Sequence, residues 1–220
     1  MDIIKGLFPL LFAMIYFFLL INLLIFGRKN KNSAPAILLA TLLLVSQLSE
    51  FVICFFDKDI QWLLLATIAG IWIAPLFVVI FILNITGLSK LNKGFYALIG
   101  FFFVTISTNF GSISSSCSLL ALGLDYPSQW LFSYLSFIFL IISAVRLNLS
   151  IKNISDTLEI RNRRIVLYSI IFTLFVSLIS ALLTGQATMF LESVLAKSFL
   201  FVGFGISFYI IREKYNSEQK

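Results

Sequence analysis

The sequence predicts an all-α membrane protein, a bundle of seven membrane-spanning helices. Three observations predict it. Hydrophobic residues make up 60% of the 220 and charged residues only 12%, whereas a soluble domain is about a quarter charged. So little charge cannot coat a soluble fold of this size, and disorder requires the opposite composition. Apolar stretches near the ~20 residues that a spanning helix needs recur at about 7–27, 34–56, 61–84, 95–111, 128–149, 164–184 and 189–211. Finally, the basic residues concentrate in every second connection, as they do when the chain crosses a bilayer repeatedly.

Segment one contains the solid run Phe17-Phe18-Leu19-Leu20-Ile21. A spanning β-strand would alternate with period two, so solid runs argue for helices. Asp2 and Lys5 cancel at its start, and Arg28, Lys29 and Lys31 follow it. That is the reverse of a secretory signal peptide and predicts an N-terminus outside. Segment two is polar late, with Ser46, Gln47, Ser49 and Glu50. Segment three has Ala66, Gly70 and Ala74 on one face, a surface on which helices can approach closely. Pro75 removes a backbone hydrogen bond there and predicts a kink.

Segment four is the weakest, short and followed by the Ser-rich stretch 112–118. Thr105, Ser107, Thr108 and Asn109 stack toward its outer end. Trp62, Tyr126, Trp130 and Tyr134 at the outer ends of segments three and five are expected as an aromatic belt. Segment six repeats small residues at Ser177, Ala181 and Gly185. Segment seven holds Lys197, with Ser193 one turn earlier, and exits through Arg212-Glu213-Lys214. The expected domain is 1–212, with 213–220 a short cytoplasmic tail.

The connections after segments one, three and five, together with the tail, hold 13 of the 16 Lys and Arg residues. Seven spans with the N-terminus outside and the C-terminus in the cytoplasm satisfy all of them. The net charge of +6 then reflects loops facing anionic lipid, not nucleic-acid binding. The sequons at Asn84, Asn148 and Asn153 fall on the cytoplasmic side. Glu192 falls in the outer connection between segments six and seven.

Ionisable residues at membrane depth are costly and become functional candidates. Glu50 and Lys197 lie ~9 Å and ~12 Å below the outer ends of their helices at 1.5 Å per residue. Their opposite charges predict that segments two and seven are neighbours, with the pair facing across an outward-opening cavity. Asn109, Ser46 and Ser193 complete the expected sensing cluster. Asn22 is the polar exception in the inner half. No cofactor or metal is expected. The sequence has no His, which removes the commonest base and metal ligand, and its two Cys give no disulfide framework.

The stretch through segments two and three resembles the N-terminal seven-helix sensor region of bacterial and archaeal histidine kinases. The residues carrying the resemblance are Ser49-Glu50-Phe51, Gly70-Ile71, Pro75 and Phe81-Ile82-Leu83-Asn84-Ile85-Thr86-Gly87, followed by Thr108-Asn109 and Arg161-Asn162-Arg163-Arg164. The resemblance implies a sensor in the plasma membrane of a bacterium or archaeon. With no kinase module before Lys220, the expectation is a stand-alone sensor that signals through a separate cytoplasmic partner, docking on the 146–164 loop and the tail.

The alternative is a small transporter or channel component. It requires a polar path, for which the inner half offers Asn22, Asn84, Ser143, Ser169 and Thr173. An enzyme is not expected, since the one conceivable dyad is Ser193 with Lys197. The run Ala196-Lys197 followed by Gly203-Phe204-Gly205 also looks like the seventh helix of microbial rhodopsins. Retinal at Lys197 is a further alternative; against it, segment three lacks that family's carboxylate and Arg, and Ser193 stands where it usually has a carboxylate.

Overall fold

The computed structural model describes residues 3–27, 30, 32–56, 60–108, 113–118, 122–126, 129–184 and 187–218, leaving aside the side chains of 3–5, 130, 132, 180–184, 187–192 and 216–218. The helices are α1 (Ile3–Gly27), α2 (Ser33–Phe56), α3 (Gln61–Ile85), α4 (Asn92–Thr108), α5 (Gln129–Ile151), α6 (Thr157–Thr184) and α7 (Ala187–Glu218). All seven are long and apolar enough to cross a membrane. Arg28, Lys29, Lys31, Lys58, Asn109 and Gly185 lie outside the described residues, as do the side chains of Trp130, Ala181 and Glu192.

The bundle is apolar outward and polar inward at one end. Leu11, Phe17 and Phe18 of α1, Phe101 and Val104 of α4, and Phe175 and Leu178 of α6 are exposed, while Ser46, Gln47, Glu50, Thr67 and Lys197 are buried. A protein in water reverses this order. A helix bundle in lipid does not, because lipid is as apolar as leucine.

Helix α3 is the central post, packed against α2, α4, α5 and α7. Leu76, Val78, Ile80 and Phe81 along it are fully buried. It runs unbroken through Pro75. Gly70 explains its fit to α2: a Cβ there would overlap Cβ and Oγ of Ser46, whose hydroxyl donates to the Thr67 carbonyl at 3.3 Å. Ala74 is buried in the same helix and Ala66 is half-buried. Gly70→Ala will therefore cost about 1–3 kcal/mol by overpacking. Thermal unfolding in detergent checks it, because Ser46→Gly added to Gly70→Ala must recover most of the loss.

The Thr86-Gly87 pair ends α3 for a backbone reason. Gly87 sits at φ +78°, a left-handed conformation open to glycine. The Leu88 N–H reaches the Leu83 carbonyl and the Gly87 N–H that of Asn84, the Schellman pattern that satisfies the last helical acceptors.

The all-α seven-helix class holds, with one short hairpin added in a connection: β1 (Ser114–Cys117) and β2 (Leu122–Asp125) pair antiparallel, with Cys117 opposite Leu122. Three expectations need correction. The two cysteines do form a bridge, Cys54–Cys117, between α2 and β1. Helix α6 starts at Thr157, and α7 continues to Glu218, so the 146–164 loop shrinks to 152–156 and the tail is largely helix. The polar start of α6 is held by local bonds, which hydropathy does not register. The Asp156 side chain accepts the Leu158 N–H, and Glu159 pairs with Arg163 one turn on at 2.7 Å.

Tyr126 is the third correction. It is buried, accepting a hydrogen bond from the Trp72 indole at 2.8 Å, and does not join a belt. Trp62 and Tyr134 are exposed as a belt requires.

Candidate functional site

Helix periodicity places Glu50 and Cys54 one turn apart on a single face of α2, and Ser193 and Lys197 likewise on α7. These four residues and the hairpin build one cluster at the end of the bundle where α2 stops and α7 begins. The Lys197 Nζ lies 2.6 Å from Glu50 Oε1 and donates to Ser193 Oγ at 2.5 Å. The Ser193 hydroxyl donates in turn to Glu50 Oε1 at 2.8 Å. Gln47 Nε2 donates to the other carboxylate oxygen at 3.2 Å. The pairing of α2 with α7 expected from matched depths is therefore present, and Glu50 is fully buried.

The cavity is not open. Strand β2 is seated on α7, with Leu122 and Leu124 fully buried. The Leu122 backbone N–H points into the cluster, donating to Glu50 Oε1 at 3.0 Å and Ser193 Oγ at 3.3 Å. The carboxylate thus meets four donors from three elements. Its negative charge is balanced by one ammonium, which is what makes burial of both tolerable. Gln47 Oε1 is buried and meets no donor among the described residues.

The hairpin is held to α2 twice. Cys117 and Leu122 are cross-strand partners. Cys117 is bonded to Cys54, and Leu122 reaches Glu50, one turn away on the same helix. Sequence reasoning missed this clamp because it lacked the hairpin. The available signal was the polarity of 112–118 beside a cysteine.

Ser46 serves the α2–α3 contact and not the ion pair. Ser107 and Thr108 are exposed, and the hydroxyls of Thr105, Ser107 and Thr108 bond back to their own helix. The expected polar wall on α4 does not line this cluster. Ser193 and Lys197 are in contact, yet a Ser–Lys dyad needs a lysine free to take the serine proton, and this amine donates to a carboxylate.

Helix α7 connects the cluster to the basic end. Next to Lys197, the Ala196 carbonyl accepts the Tyr16 hydroxyl of α1 at 2.7 Å. Twelve residues on, ~18 Å along the helix, Tyr209 donates to Glu159 at 2.8 Å. The Arg163 paired with Glu159 also caps α3 through the Ile85 carbonyl at 2.6 Å and reaches Ser150 at 3.1 Å. Beyond it, Glu213 accepts from Asn30 at 2.7 Å. Comparison of the chain with protein-family models, curated proteins and solved structures returns no match.

Proposed function

We propose that this protein is a sensor of receptor type in the plasma membrane, reading an external or intramembrane cue at the Glu50–Lys197 cluster and passing it along α7 to a cytoplasmic partner. The observation that carries the reading is the buried ion pair closed by the β1–β2 hairpin, at the head of a helix whose other end is bonded to α6 and to Asn30. A cue that lifts the hairpin or replaces the Leu122 N–H changes the bonding of Ser193 and Lys197. Helix α7 then has two arrangements to choose between.

The topology proposed with it has the N-terminus outside and the C-terminus in the cytoplasm. The disulfide supports it, since such bonds persist in oxidising compartments and this one lies at the end away from the basic connections. The partner surface is formed by the helical ends around Arg161 and Arg212, because Arg163 is committed within the bundle.

The transport reading is less well supported. The bundle centre is filled by the apolar side chains of α3, Asn22 faces outward and bonds its own helix, and Thr173 is closed onto the Ser198 carbonyl.

The test uses a spin label at Tyr215→Cys, an exposed position on α7. The native cysteines are joined in their disulfide and leave the label one target. Breaking the pair with Glu50→Gln must change the label's mobility in liposomes, and Glu50→Gln with Lys197→Met must change it differently. Identical spectra for all three proteins exclude transmission along α7. Solute flux above that of empty liposomes would favour transport instead.

A further inference from the structure

At the basic end, α5 and α6 line a groove of about 770 Å³. Lys152 lies just past the end of α5, and Arg164 lies seven residues into α6, ~10 Å along it, with Asn148, Ile151 and Ile160 between them in the lining. Val145, Leu167 and Ile171 continue it toward mid-bundle. Both cations are exposed, and neither makes an ion pair or hydrogen bond among the described residues. The nearby acids are engaged elsewhere: Asp156 caps the start of α6, and Glu159 holds Arg163 and Tyr209.

We infer that this groove binds an anionic phospholipid, its phosphate between Lys152 and Arg164 and one acyl chain along Val145, Leu167 and Ile171. Two unpaired cations in a groove that runs on past Arg164 along Leu167, Tyr168 and Ile171, without further charge, match the amphiphile's anionic head and apolar chain. Basic pockets between spanning helices are where anionic headgroups are held. A free phosphate would use the cations and leave the apolar length empty, whereas the lipid uses both.

The test is retention of phosphatidylglycerol by the purified full-length chain after delipidation and back-titration, read by native mass spectrometry. Each cation near an anionic lipid contributes about fivefold in affinity. Lys152→Gln with Arg164→Gln should therefore weaken retention ~25-fold, and Lys152→Arg alone should leave it near that of the unchanged protein. Arg161→Gln, a neighbouring exposed cation outside the groove, should change little. Unaltered retention in the double variant overturns the inference, as does an equal loss from Arg161→Gln, which would mean diffuse charge attraction. Displacement by millimolar inorganic phosphate, or equal binding of phosphatidylcholine, would overturn the lipid assignment as well.

Discussion

Lys197→Met alone will destabilise the protein far more than Lys197→Met combined with Glu50→Gln. Removing one partner of a buried ion pair leaves an uncompensated charge and costs about 3–5 kcal/mol, while replacing both is often near neutral. For a chain of this length that corresponds to a fall of about 6–20 °C in the unfolding midpoint. Glutamine at position 50 is the informative partner because its amide oxygen can still accept from Ser193 and from the Leu122 N–H, the contacts that Glu50 Oε1 now makes. The double variant thus keeps the hairpin seated and loses only the charges. Thermal unfolding in detergent of the two singles and the double decides it. If the double is no more stable than the sum of the single losses allows, the two side chains are not coupled.

Loss of the Cys54–Cys117 bond will open the cluster. The bond joins residues 63 apart in sequence, and removing such a link typically costs 2–4 kcal/mol. Its position makes the consequence local. Cys117 faces Leu122 across the hairpin, so freeing the cysteine loosens the strand whose N–H closes over Glu50. Cys54→Ser should raise the rate at which a water-soluble amine reagent modifies Lys197 by at least about tenfold, one decade being about 1.4 kcal/mol of easier opening. The exposed Lys152 serves as an internal reference. Adding Glu50→Gln should raise it further, since Lys197 then also loses its carboxylate partner. Equal, slow modification of Lys197 with and without the bond would show that the burial of Leu122 and Leu124 alone holds the hairpin in place.

Much of the fold is legible locally. Seven apolar runs, the Gly70 contact and the Thr86-Gly87 stop follow from residues close in sequence, because hydropathy, side-chain size and the left-handed backbone of Gly87 act within a few positions. Helix ends were less legible. Thr157–Arg164 and Arg212–Glu218 are too polar to look membrane-spanning; the first persists on the Asp156 cap and the Glu159–Arg163 pair, the second on bonds with Asn162 and Asn30.

The candidate site divides along the same line. Glu50 and Lys197 stand out in the sequence because charge is scarce in the spans, and their similar depths suggest a pair. The α4 hydroxyls of Thr105, Ser107 and Thr108, equally polar in sequence, bond their own backbone, since a hydroxyl on a helix can bond the carbonyl one turn back.

The sequence by itself determined how many times the chain turns through apolar surroundings and which charges are left inside, because the transfer of each side chain from water is a local quantity. Only the tertiary structure decided that Leu122 covers the ion pair, that Cys54 meets Cys117 and that Arg163 is spent on the end of α3. Those contacts join residues 63 to 78 positions apart. Their existence depends on how seven helices and one hairpin share the interior, which no local stretch of the chain encodes.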